Sequence, residues 1–347
     1  MKDRFTTKID TSIASAVDYL TQDEVVAIPT ETVYGLAANA LSEKAVLKIF
    51  EAKNRPHFNP LIVHIKDWKE AEKYSSFIHP YIQQLALAFC PGPLTFLVPK
   101  KDCIPDLVTA GSPYVALRVP NHNLSLSLLQ AVSFPLAAPS ANPFGYVSPV
   151  SAAHVRQGLD GKIPYILDGG DCTIGLESTI IGVEEDALVV YRVGGICIEA
   201  IETCLGTKVV LETHQDQAPH TAGQLKSHYA THTPLIMGNP LDLYTDYANK
   251  KIGIIAFHNT YAELAVAKVW TLSPSKDLSE AATHLFRTLR EADTYDLDIQ
   301  HRFNSGAHEI TIGGGGRTTR GRFENKSALT TIHSSTYQFV NLYAQDK

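Results

Sequence analysis

Cysteine is scarce and poorly placed to build a framework. Its five residues, Cys90, Cys103, Cys172, Cys197 and Cys204, are an odd number without a C-x-x-C pair. That speaks against a disulfide scaffold or a cysteine zinc site, and reduced, mostly buried thiols are expected. No apolar run approaches the roughly 20 residues that a membrane span needs. The opening "MKDRFTTKIDTSIAS" lacks the apolar centre of a secretion signal, and its aspartates argue against a transit peptide. Positive charge is not in excess: the formal net charge is -6, which disfavours coating of nucleic acid while leaving room for a local basic pocket. The sequence has no G-x-S-x-G elbow, no H-E-x-x-H and no G-x-x-x-x-G-K-[ST] loop. A covalent nucleophile is therefore not indicated. The expectation is a soluble cytoplasmic protein that does not contact a membrane.

What is present is enough apolar material, 44% of 347 residues, for two domains. Over the first two hundred residues, short β-rich runs alternate with helix-like segments. "EVVAIPT", "PLIVHI", "PLTFLVP", "YVALRVP", "FPLAAPS", "YILDGG", "ESTIIGV" and "ALVVYRVGG" read as strands. "SEKAVLKIFEAK", capped by Ser42, reads as a helix, as do "YIQQLALAF" and "LSLSLLQAV". The pattern predicts an α/β fold with an open, twisted mixed sheet over 1–206. A polar, His- and Pro-rich linker spans 207–233, and a smaller Rossmann-like α/β domain follows over 234–347. In that domain "PLIMG", "IGIIAF", "AKVWTL" and "DLDI" are the strand candidates. "LSEAATHLFRTLREA" is a helix with Ala282, Leu285, Phe286 and Leu289 inward. After about residue 300 a four-glycine run and scattered arginines make an irregular tail.

Four clusters of polar residues follow or interrupt the predicted strands, where open α/β sheets collect ligands. Thr30-Glu31-Thr32 with Tyr34 is either a capping group or a ligand contact. Lys53 and Arg55 end a helix beside the rigid turn "RPHFNP". They complement the helix dipole or hold an anion. His64 lies on the strand face away from Leu61, Val63 and Ile65, as a core histidine or a pocket residue. Arg118 stands mid-strand beside Ala116 and needs a partner, an ion pair or a ligand carboxylate or phosphate. "APSANPFGYVSP" interleaves Ser140 and Ser148 with small residues that allow close approach of a flat group. Ser178 at a strand start and Arg192 at a strand end complete the set.

Seven motifs in order, "PTETVYGLAANA", "KNRPHFNPLIVH", "PGPLTFLVP", "ALRVPNH", "APSANPFGYVSP", "GLESTII" and "YRVGG", closely resemble those of the YrdC-like threonylcarbamoyl-AMP synthases from about residue 10 to 200. The linker and second α/β region resemble the long, two-domain form. The resemblance implies synthesis of L-threonylcarbamoyladenylate from L-threonine, bicarbonate and ATP, with release of pyrophosphate. The product serves a separate transferase that modifies the adenosine beside the tRNA anticodon, so contact with tRNA itself is weak or indirect. It implies magnesium with ATP. By matching position, Thr32, His64, Arg118, Ala138 and Ser178 line the threonine pocket. Arg55, Asn59, Tyr114, Ser140, Ser148, Arg192 and the linker residue Tyr229 face the nucleotide. Lys53 and Arg55 stand beside the phosphates as the catalytic pair.

The linker "TAGQLKSHYAT" lacks the Pro and Met residues usual in the family. It is expected to act as a mobile cover over Gln215 to Pro234, anchored by Tyr229. The alternative reading is an RNA-binding module without synthase activity; carbamoyl transfer would need companion regions that the sequence does not show. If the pocket reads threonine, the methyl group that distinguishes it from serine contributes roughly 1–3 kcal/mol. Threonine should therefore win a competition assay modestly, and equal use of serine would show that the methyl group is not read.

Overall fold

The computed structural model describes residues 6–56, 59–212, 229–247, 249–295, 302–305, 308–311 and 338–342. The chain divides into two compact units, Met1–Ala230 and Thr231–Lys347.

The first unit carries one large mixed sheet. Its strands are β1 (Lys8–Asp10), β2 (Val26–Ile28), β3 (Gly35–Asn39), β4 (Ile62–His64), β5 (Leu94–Pro99), β6 (Tyr114–Arg118), β7 (Leu136–Ala137), β8 (Tyr165–Leu167), β9 (Thr179–Glu184), β10 (Ala187–Arg192) and β11 (Val210–Leu211). Their spatial order is β1-β8-β2-β3-β7-β4-β6-β5-β9-β10-β11. All eight expected strands form. Three were not anticipated. β3 is "GLAAN", buried but without alternation or β-branched residues, so it carries no period-2 signal. β1 and β11 are short pieces paired in parallel to β8 and β10. The pairing of Val210–Leu211 places the described start of the expected linker within the first sheet. Residues 213–228 of that linker lie outside the described residues.

The helices form where capping and periodicity direct. Ser42 accepts a hydrogen bond from the Ala45 amide at 3.3 Å and starts the helix Glu43–Lys53. Asn54, in the left-handed region at φ 52°, ends it before Pro56. The helices Ile13–Thr21 and Asn123–Ala131 cover one face of the sheet. There Ala16, Leu20, Leu128 and Leu129 pack with Val26, Ile28, Leu136 and Tyr165. A smaller apolar cluster, Ile62, Leu97, Ala116, Ile180, Val189 and Tyr191, comes from the central strands. Alternation puts this cluster on the same side as His64 and Arg118, so it forms an apolar floor beside the polar groups.

The second unit holds β12 (Leu235–Met237), β13 (Ile252–Ala256), β14 (Lys268–Thr271), an antiparallel pair β15 (Arg302–Ser305) and β16 (His308–Thr311), and β17 (Gln338–Leu342). Four of these make a parallel sheet in the order β12-β17-β13-β14. The helix Leu278–Thr294 buries Ala281, Phe286 and Leu289, whereas Ala282 and Leu285 are only half-buried. The inward stripe thus begins one residue earlier than expected and takes in Arg290 and Asp293. "DLDI" and the four-glycine run lie outside the described residues. Only Cys172 of the five free cysteines is buried; Cys103 and Cys197 are exposed, which corrects the expectation of mostly buried thiols. Among the described residues no helix is long and apolar enough to cross a membrane.

Candidate active site

β2 and β3 run antiparallel, so Pro29–Tyr34 is the connection between them rather than an open strand end. Thr30 organises it. Its Oγ1 accepts from the amides of Thr32 and Val33, both at 3.2 Å, and donates to the Val33 carbonyl at 2.6 Å. That uses Thr30's one hydroxyl proton. The 2.8 Å contact between the two threonine hydroxyls must then be donated by Thr32, whose oxygen is left as an acceptor. Thr30 is the capping group and Thr32 the residue free for a ligand donor.

Glu31, between them, points to Arg118. Its Oε1 accepts from Arg118 Nη2 at 2.7 Å, with side chains 5% and 4% exposed, and its Oε2 accepts from the Asn121 amide at 3.0 Å. Arg118 Nε donates to the Gly92 carbonyl at 3.3 Å. The ion pair foreseen as one reading of Arg118 therefore exists, and Nη1 takes no part in these bonds. Strand register aligns His64 with Arg118, and Arg118 with Thr95. Thr95 Oγ1 meets Ser178 Oγ at 2.7 Å. His64 is buried, its Nδ1 has no hydrogen-bond partner among the described residues, and burial together with Arg118's charge pushes its pKa down to about 3. It is a neutral imidazole with one unpaired ring nitrogen. Ala138 donates its amide to the Ile62 carbonyl at 2.9 Å, so it lies beside the same strand.

A second cluster adjoins the first at Ser178. Arg192 donates from Nη2 to Ser178 Oγ at 3.0 Å, from Nε to the Ser178 carbonyl at 2.9 Å, and from Nη1 to Glu177 Oε2 at 2.7 Å. Glu177 also accepts from Ser148 Oγ at 2.8 Å and from Tyr229 Oη at 2.7 Å. Arg55 lies in this field. Burial, with a contribution from Arg192, pushes its pKa down to about 10 against the opposing pull of Glu177, so it stays charged at neutral pH. Its guanidinium is fixed by the Asn59 carbonyl at 3.3 Å and the Pro60 carbonyl at 3.0 Å, and lies 5.9 Å from the Phe144 ring centre. Asn59 is 1% exposed and its Oδ1 has no partner among the described residues. A buried acceptor in that state suits a ligand donor.

Two candidates sit differently from the rest. The Lys53 ammonium grips the carbonyls of Ser140 and Asn142, and the Lys53 carbonyl accepts from the Phe144 amide at 2.9 Å. It thus pins the "SANPF" loop, and Ser140 is held against Gly35 by an antiparallel bridge. Tyr114 stands at the opposite end of β6 from Arg118, about 13 Å along the strand, and is 38% exposed. Sequence reasoning did not assign Glu31, Glu177 or Thr95. The signal was available: each buried arginine requires a counter-charge, and the two glutamates are the acidic members of the motifs "PTET" and "GLEST".

Fold and site together define an α/β protein that uses buried, internally paired arginines on one face of a mixed sheet to hold a small anionic ligand. A family model described as "Telomere recombination" matches residues 18–194, and one described as "Threonylcarbamoyl-AMP synthase, C-terminal domain" matches residues 196–313. The chain is 39% identical over 300 residues to a threonylcarbamoyl-AMP synthase of Bacillus subtilis, covering 84% of this chain and 87% of the relative. It is 38% identical over 301 residues to that of Pyrococcus abyssi, with 83% and 87% covered. The crystal structure of P. abyssi Sua5 complexed with L-threonine superimposes with a TM-score of 0.78 at 31% identity, covering 97% of this chain and 92% of that one. The chain belongs to the threonylcarbamoyl-AMP synthase family, in its two-domain form.

The state of His64 gives a pH test. A folded pKa near 3, against about 6.5 when unfolded, means that the folded state binds fewer protons between those values. Its contribution to stability is present above about pH 6.5 and is lost as pH falls toward 3. Denaturant midpoints measured from pH 7 to pH 4 should fall less steeply in His64→Gln than in the parent. Parallel curves would show that His64 is not held neutral.

Proposed function

We propose that this protein joins L-threonine, bicarbonate and ATP into L-threonylcarbamoyladenylate, releasing pyrophosphate and water. The observation that carries the reading is the junction at Ser178. Its hydroxyl touches both Thr95, which is in register with Arg118, and Arg192, so a carboxylate-sized and a phosphate-sized anion can be held side by side.

Each step then has residues suited to it. Arg118, held by Glu31 and Gly92, would meet the threonine carboxylate with its remaining donors. The Thr32 oxygen and the unpaired His64 nitrogen would accept from the substrate's amine and hydroxyl, with Ala138 lining that side. A neutral amine attacks the one-carbon unit, and the carbamate oxygen then attacks the α-phosphate. Two anions brought to about 4 Å repel by roughly 4 kcal/mol at an effective dielectric near 20. Arg55 and Arg192 would offset this, supported by Lys53, which also places the loop bearing Ser140. Asn59, Ser148 and Tyr229 would contact the nucleoside side, and Tyr114 its outer edge. Among the described residues no three His, Cys, Asp or Glu side chains gather to hold a metal. We therefore assign magnesium to the ATP substrate, where phosphates supply most of the ligands and the ion adds further charge neutralisation.

The reading carries with it a cytoplasmic setting and a separate transferase that receives the product and modifies tRNA. An RNA-binding role alone fits less well, because Arg55 and Arg118 are buried rather than spread over a surface. Pyrophosphate release, assayed with threonine, bicarbonate and ATP each omitted in turn, tests the proposal. All three should be required, and release that ignores threonine would overturn it. In the same assay Arg192→Ala should weaken ATP, and Arg118→Ala threonine, by roughly 1.5–3 kcal/mol each. Equal losses for both ligands in both variants would show that the site is not divided in this way.

A further inference from the structure

We propose that Glu177 is the positioning residue of the nucleotide side, a single buried carboxylate that latches residues 229–230 to Arg192. The ATP arm of this inference rests on the function proposed above.

Glu177 is 8% exposed, and its two oxygens serve three side chains. Oε1 accepts from Ser148, and Oε2 accepts from both Arg192 and Tyr229. These three come from the loop before the helix Ala152–Leu159, from the end of β10 and from the segment after the undescribed stretch. Only this carboxylate, among the described residues, is bonded to all three. Its backbone is clamped as well. The Gly195 amide donates to the Glu177 carbonyl at 2.8 Å, and a Cβ placed on Gly194 would lie 2.2 Å from that oxygen. Gly194 is glycine because the two backbones touch.

Tyr229 shows what the latch holds. It adopts a left-handed conformation at φ 61°, unfavourable for a bulky side chain and maintained only where surrounding bonds over-determine it. Two such bonds exist. The phenol donates to Glu177, and the next residue, Ala230, donates its amide to the Gly145 carbonyl at 2.8 Å. Burial and the Glu177 carboxylate push the Tyr229 phenol well above its ordinary pKa, so it remains a donor. Glu177 therefore does two things at once. It aims the Arg192 guanidinium, and it seats residues 229–230 on the loop that carries Ser148. Moving one of these groups disturbs the others through a shared acceptor.

The test uses the full chain with Glu177→Ala, Glu177→Gln, Tyr229→Phe and the double variants. Without any ligand, hydrogen exchange of the Ala230 amide reads the latch. Glu177→Ala and Tyr229→Phe should each speed it about tenfold, the effect of one charge-assisted hydrogen bond. The pair together should add little to either alone. By calorimetry, Glu177→Gln should keep the hydrogen-bonding shape but lose the charge. It should weaken ATP about tenfold and leave threonine affinity within about twofold. Unchanged Ala230 exchange in the single variants, or effects that multiply in the double variant, would overturn the latch. Equal losses for ATP and threonine would overturn the positioning role. If Glu177→Ala fails to fold, Glu177→Gln combined with Tyr229→Phe carries the same cycle. A parent protein that binds no ATP would overturn the functional reading instead, and the Ala230 exchange would still decide the latch.

Discussion

Arg118 and Glu31 meet at 2.7 Å in a place almost closed to water. A guanidinium cannot be buried without a partner, because the desolvation cost exceeds what scattered dipoles return. The partner here comes from the connection between the first antiparallel strands of the sheet. The pair thus ties the mouth of β2 to the end of β6 and fixes the depth at which a positive charge sits inside the fold. The same rule is met again at Arg192 with Glu177. Arg55 meets it differently, with two backbone carbonyls and an aromatic ring. Each solution leaves the arginine charged and held before any ligand arrives, which is what electrostatic preorganisation requires.

These pairs also explain why so much polar structure is tolerated beside an apolar floor. Ile62, Leu97, Ala116, Ile180, Val189 and Tyr191 exclude water from one side. The threonine and serine hydroxyls then bond to one another or to arginine rather than to solvent. An attack of one anion on another benefits from such a setting, where interactions with fixed charges are strengthened by the low local dielectric.

Much of this could be read from the sequence, and the rest could not, for identifiable reasons. Strands with alternating or β-branched residues were legible, as was the helix begun by Ser42. β3 was not, since a buried run of Gly, Leu and Ala has neither period. The stripe of the helix Leu278–Thr294 was misplaced because Arg290 and Asp293 are buried where charge is normally a sign of exposure. Arg118 and Arg192 could be singled out as mid-strand and strand-end charges. Their glutamate partners could not, because which acid meets which base is decided by strand order across more than 80 residues for Arg118. The split of labour between Thr30 and Thr32 was equally hidden. It depends on where one hydroxyl proton goes.

Lys53 closes the helix Glu43–Lys53 with its ammonium set between the carbonyls of Ser140 and Asn142. An ammonium is a compact centre with three rotatable donors, whereas a guanidinium is a flat fork of fixed spread. Two carbonyls that converge on one nitrogen from the same short loop match the first shape and not the second. The substitution usually considered mildest for a lysine is therefore closed at this position. A fully conserved charge would still displace the loop that carries Ser140, so geometry rather than charge sets which residues the site can accept there.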